Sequence, residues 1–100
     1  MTTQRSDKDS PEIRSLDGQI VQAEAQGRWP QAAQLLRSRA QRIAPPAEQA
    51  RTLEHLVSVY RVKLGDERGA MQAAEELLAL DASHAGARHY LVESYTRQGN

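Results

Sequence analysis

The sequence predicts an all-α chain of five helices, arranged as antiparallel hairpins stacked on one another. Three observations carry that prediction. First, alanine supplies fifteen of the 39 apolar residues and phenylalanine is absent. Alanine is the best helix former and lets helix axes approach closely, while burying about a third or less of the area a leucine buries. Second, one pattern of helix stop and restart recurs around Gly27, Gly65 and Gly99. In LGDERGAMQAAEELLALD, Leu64 to Asp81, a glycine ends one helix, an acidic residue opens the next, and a small-residue helix runs to a second stop. Third, apolar residues between these turns recur at spacings of three and four, the signature of one helix face.

Taken in order, residues 1–10 are polar, charged and aperiodic, and read as a disordered tail before a helical domain over residues 11–100. Ser10-Pro11-Glu12 opens the first helix: a hydroxyl to cap free amides, a proline with φ preset, and an acid at the positive end of the dipole. Ile13, Leu16, Ile20 and Ala23 form its inward stripe, and Gly27 stops it. Gly18 lies inside this helix at a cost of about 1 kcal/mol, so either a neighbour packs close there or the helix is weak at its start. Arg28-Trp29-Pro30 connects to the second helix, with Trp29 as an apolar plug at the hairpin end and Ala33, Leu36, Ala40 and Ile43 facing inward. Pro45-Pro46 ends that helix and opens the third, because proline clashes with a continuing helix but suits a first turn.

The third helix is expected over 47–64, burying Leu53, Leu56, Val57, Tyr60 and Leu64. Gly65 stops it and Asp66 caps the fourth, whose inward residues are Ala70, Ala74, Leu77 and Leu78. Asp81-Ala82-Ser83 ends the fourth helix. Ser83 is the expected cap of the fifth, which runs through Leu91, Val92 and Tyr95 to Gly99, with Gly86 and Ala87 leaving room for close packing.

Gly65 and Gly99 are 34 residues apart, with Tyr60 and Tyr95 just before them, and 34 residues is the tetratricopeptide period. The stretch from Leu53 to Asp81 resembles that family: an aliphatic at Leu56, Tyr60 before the turn, Gly65-Asp66 at the turn, Ala70 five residues after the glycine, and a Leu77-Leu78-Ala79-Leu80-Asp81 ending. The first unit, Leu16 to Ile43, keeps Gly27, Trp29 and Ala32 but places Arg39 where a small residue is usual, and its turn is 38 residues before the next. Tyr60 stands five residues before Gly65 rather than the commoner four, one extra helical residue, and Ala82 replaces a closing proline. The resemblance spans Pro11 to Asn100, about two and a half repeats. It implies a short right-handed solenoid, here the N-terminal part of a longer array, whose first helices line a groove for a peptide or a partner helix.

The groove positions opposite the packing stripes are Arg14, Asp17, Val21 and Glu24, then Arg51, Glu54, Ser58 and Arg61, then His89, Glu93 and Thr96. The set is mixed in sign, which suits steering of a protein partner. Family members that bind chaperone tails hold a carboxylate with lysine, asparagine and arginine. The matching places here are Asp17, Val21, His55, Gly86 and Tyr90, so the resemblance implies a different ligand. The function expected is a protein-binding scaffold or adaptor, with a regulatory or oligomerisation segment of a larger enzyme or signalling protein as the alternative. A homodimer through the last helix is a further expectation, because Leu91, Val92 and Tyr95 have no following helix to cover them.

Other chemistries find little footing. Thirteen basic and thirteen acidic residues cancel over the chain, against the basic excess of nucleic-acid binders. Arg37, Arg39 and Arg42 are the only basic cluster, read as a solvated convex surface. There is no cysteine for a disulfide or thiolate site. His84 and His89 stand about 140° apart on a helix, which is not one metal face. Glu75 and Glu76 read as a solvated pair rather than an acid–base couple, and no nucleophile elbow or phosphate loop occurs. No cofactor, catalytic residue or membrane contact is therefore expected. A start without an apolar core and a high ratio of arginine to lysine, eleven to two, point to a bacterial cytoplasmic chain.

Overall fold

The described residues form five α-helices: α1 (Pro11–Ala25), α2 (Trp29–Arg42), α3 (Pro46–Ser58), α4 (Glu67–Leu80) and α5 (Ala85–Arg97). A π-helical segment, Val59–Leu64, continues α3. This computed structural model describes residues 5–99. Met1 to Gln4, where the disordered tail is expected, and Asn100 lie outside the described residues. Each helix packs against its neighbours in sequence, so α2 sits against both α1 and α3, and α4 against both α3 and α5. The result is an elongated all-α body of 44 × 32 × 23 Å, with no sheet among the described residues and an arrangement consistent with stacked hairpins. No helix among the described residues is long and apolar enough to cross a membrane.

The turn chemistry explains where the helices stop. Gly27, Gly65 and Gly99 have φ of 71°, 60° and 77°, the left-handed region that a Cβ makes costly. Ser10 Oγ accepts the Ile13 N–H at 3.2 Å and Asp66 Oδ1 accepts the Gly69 N–H at 3.0 Å, capping α1 and α4. Pro11, Pro30 and Pro46 all lie in first turns.

One core runs the length of the body, from Ile20 through Leu36, Leu53, Leu56 and Leu77 to Leu91, with Trp29 packed at its edge. Ala70, Ala73 and Ala74 are fully buried, so α4 presents a nearly flat face to its neighbours and sits close to them. A smaller cluster of Ile13, Leu16 and Ile43 fills the end near the N-terminus.

Several details differ from the sequence expectation. The third helix keeps α geometry only to Ser58, then widens, and the Gly65 and Asp66 N–H groups both reach back to the Tyr60 carbonyl. The extra residue between Tyr60 and Gly65 is absorbed there, since a π turn accommodates one added residue without breaking the helix. The fifth helix is capped by His84, whose Nδ1 accepts the Ala87 N–H at 3.0 Å. Ser83 is instead spent on the turn: its hydroxyl and N–H both donate to Asp81 Oδ1, which lowers the Asp81 carboxyl pKa. The buried face of α5 is Ala87, Tyr90, Leu91 and Ser94. Val92 and Tyr95 are 57% and 38% exposed, and the Tyr95 hydroxyl donates to Glu75 at 2.8 Å.

Gly18 has no neighbour where a Cβ would stand, so it serves no close approach. Close approach occurs instead at Gly69, where a Cβ would come within 2.8 Å of the Tyr60 ring. Within the described part of the expected tail, Ser6 pairs with the strand-like backbone at Arg42–Ala44, and Arg5 donates to the Ala40 and Ile43 carbonyls at 2.9 and 3.2 Å.

Candidate functional site

The first helix of each pair (α1, α3 and α5) contributes to a shared face, and two cavities open on it. The first, about 260 Å³, lies between α1 and α3. Asp17, Val21 and Glu24 come from α1 and Arg51, Thr52 and His55 from α3, over a floor of Ile20 and Leu36. The second, about 240 Å³, lies between α3 and α5. Its walls are Glu54, Ser58, Arg61 and Val62 on one side and His84, Gly86 and Ala87 on the other, over Val57, Leu77 and Tyr90. Leu36 of α2 and Leu77 of α4 play the same part, each closing the bottom of a gap between two first helices.

The same device spans each gap. Glu24 of α1 meets His55 of α3 at 2.7 Å, and Glu54 of α3 meets His84 at the start of α5 at 2.8 Å. Each pair links adjacent first helices, α1 to α3 and α3 to the start of α5.

The electrostatics of the two cavities differ. In the first, Arg39 crosses from α2: its Nε donates to Asp17 at 2.6 Å and a terminal nitrogen to Glu48 at 3.2 Å, and it also donates to Thr52. Its side chain is only 13% exposed, so it lies within the stack and joins three helices. This corrects the reading of Arg39 as convex surface. A long side chain stands where a small one was expected because two carboxylates and a buried hydroxyl need a shared donor, and an arginine fork supplies several. Arg51 donates to Glu48 at 3.1 Å. Arg37 and Arg42, the rest of the basic cluster, pair with Glu76 and Glu12.

In the second cavity the Arg61 guanidinium lies 4.6 Å from the centroid of the Tyr90 ring. Arg61 makes no ion pair among the described residues. Beside it Val62 is 71% exposed. Both residues belong to the π-helical segment.

Of the groove positions read from sequence, Asp17, Val21, Glu24 and Arg51 line the first cavity, and Glu54, Ser58 and Arg61 the second. Arg14, His89, Glu93 and Thr96 line neither. His89 and Glu93 instead pair with each other at 2.9 Å along α5, and Thr96 donates to the Val92 carbonyl. Sequence reasoning assigned no groove role to His84, Val57 or Val62. His84 carries no periodic signal, since it follows His55 by 29 residues and Glu54 follows Glu24 by 30, neither of them the 34-residue period. Val57 and Val62 carry none, since an apolar residue at a helix end reads equally well as core.

No group of three or more metal-ligating side chains gathers among the described residues. Comparison of the chain with family models, with curated proteins and with solved structures returned no match.

Proposed function

We propose that the chain is a tetratricopeptide-type module of about two and a half right-handed repeats, which binds another protein as an extended peptide or a helix laid across α1, α3 and α5. The observation that carries the reading is the pair of cavities at successive gaps of this one face, each walled by first helices and floored by a leucine of a second helix. Two pockets in a row on a rigid face suit a segment that offers side chains at intervals along its length. The histidine–glutamate ties support the same reading, because they fix the spacing of the pockets.

The test is crosslinking of the chain to captured partners, with crosslinks mapped by mass spectrometry and compared with an Arg51→Glu, Arg61→Glu variant. Crosslinks from α1, α3 and α5 that disappear in the variant are the expected result. Partners retained unchanged, or crosslinked only through α2 and α4, would overturn the reading. A second reading, self-association through α5, draws on the exposed Val92. Sedimentation separates it: a monomer at all concentrations removes it, whereas a dimer abolished by Val92→Glu supports it.

A further inference from the structure

The second cavity holds the elements of a more specific recognition, and the inference that follows rests on the groove reading above. Its floor and walls are largely apolar: Val57, Leu77, Ala87 and the Tyr90 ring, with Val62 exposed at the rim. At the mouth stands the Arg61 guanidinium, held over Tyr90. Stacking on an aromatic face leaves the in-plane N–H donors of an arginine free to bind a carboxylate. The carboxylate of the lining, Glu54, already accepts from His84 Nε2 at 2.8 Å, while His84 Nδ1 accepts the Ala87 N–H. The first cavity offers no such opening, because Arg39 and Arg51 are both bound to carboxylates.

We infer that the α3/α5 cavity is the anchoring subsite of the face, and that it takes a partner segment in which an aliphatic side chain lies next to a carboxylate. The aliphatic group enters between Val57, Leu77 and Ala87, and the carboxylate accepts from Arg61. A basic partner is disfavoured at this point by Arg61 itself, and a purely apolar one leaves the guanidinium unpaired. The π-helical turn has a part in this arrangement: the segment that takes up the extra residue is the one that carries Arg61 and Val62.

The test uses short peptides blocked at both ends, so that no terminal charge contributes, each centred on adjacent leucine and glutamate, with glutamate→glutamine and leucine→serine counterparts. They are titrated into the full isotope-labelled chain and followed by amide chemical shifts. The leucine–glutamate peptide is expected to move the amides of Ser58, Arg61, Val62, Ala87 and Tyr90. Replacing its glutamate weakens binding about tenfold, as does Arg61→Gln in the chain. The two changes together cost little more than either alone, the mark of a direct contact. Arg68→Gln, on α4 and outside both cavities, leaves the affinity unchanged.

Equal affinity for the glutamate and glutamine peptides would overturn the inference. Shifts centred on Asp17, Val21 and His55 would also overturn it while keeping the groove reading, since the ligand would then sit in the other cavity of the same face. No shift at either cavity overturns the inference alone, because the crosslinking experiment tests the groove separately. Circular dichroism of Arg61→Gln confirms that the fold is intact, as expected for an exposed side chain.

Discussion

Between α1 and α3 the charged residues of the cavity are bonded to one another: Arg39 to Asp17 and Glu48, Arg51 to Glu48, His55 to Glu24. Between α3 and α5, Glu54 and His84 are paired but Arg61 rests on an aromatic ring, with an exposed valine beside it. The two gaps share a frame, with the same leucine floor and the same histidine–glutamate tie, and differ in what is added to it. The first gap is stapled by an arginine reaching through from the second layer. The second is left open, and its rim is carried by the π-helical end of α3. The difference separates a structural junction from a surface with unmet bonding capacity, on helices that otherwise look alike.

Four predictions sharpen or break that contrast, beginning with the largest. Ala70→Glu places an uncompensated carboxylate in the tightest part of the core, at a position with no exposed surface, at a cost of several kcal/mol. For a domain with a total stability of about 5–10 kcal/mol, loss of the cooperative melting transition is expected. An unchanged melting curve would refute the packing register. Leu77→Ala removes the floor of the open cavity and is expected to cost about 2–5 kcal/mol. Leu36→Ala should cost a similar amount, read from denaturant midpoints, because the two leucines are equivalent in the frame. A large disparity would break the equivalence.

Arg39→Ala then tests the staple. It leaves the buried Thr52 hydroxyl and the half-buried Glu48 without their shared donor, and about 1–3 kcal/mol of stability is expected to be lost. The equivalent change at Arg61 should cost less, about 0.5 kcal/mol, because its charge is exposed and its contact among the described residues is the Tyr90 ring alone. Equal losses from the two arginines would contradict the distinction drawn between the gaps. Gly69→Ala is the smaller effect. Alanine gains about 1 kcal/mol of helix propensity, but its Cβ would meet the Tyr60 ring at 2.8 Å and an Asp66 carboxylate oxygen at 2.7 Å. A net loss of roughly 1 kcal/mol is expected from the forced displacement, with chemical shifts changing across the π-helical segment.

Much of the fold was legible because its punctuation depends on local chemistry. Glycine at a positive φ, proline in a first turn, and Ser10 and Asp66 as caps act through backbone groups a few residues away, and each stands where the sequence placed it. What was not legible depends on contacts between distant segments. Arg39 looked like surface because arginine usually is; its partners Asp17, Glu48 and Thr52 come from two other helices. Tyr95 was aligned with Tyr60 because each stands just before a turn glycine, yet Tyr90 is the buried ring. The phase of α5 is set by Ala87, Leu91 and the small Ser94, and a serine reads as surface until a neighbouring helix comes close. Ser83 was expected to cap α5, but Asp81, two residues earlier, takes both its hydroxyl and its N–H, and His84 accepts the capping bond instead. Of the positions expected to face one groove, Asp17, Val21 and Glu24 of α1 and those on α3 line the two cavities, whereas Arg14 and the α5 positions His89, Glu93 and Thr96 do not, and His84, Gly86 and Ala87 stand at the α5 wall instead.

The claim that the open gap, not the stapled one, anchors a partner is tested most directly by separating the two arginines of α3. Affinity for one captured partner would be measured with Arg51→Glu and with Arg61→Glu, each in the otherwise unchanged chain. The predicted result is a loss of about tenfold or more for Arg61→Glu and a much smaller one for Arg51→Glu, whose guanidinium is already bound to Glu48. Equal losses, or the larger loss at Arg51, would contradict the account.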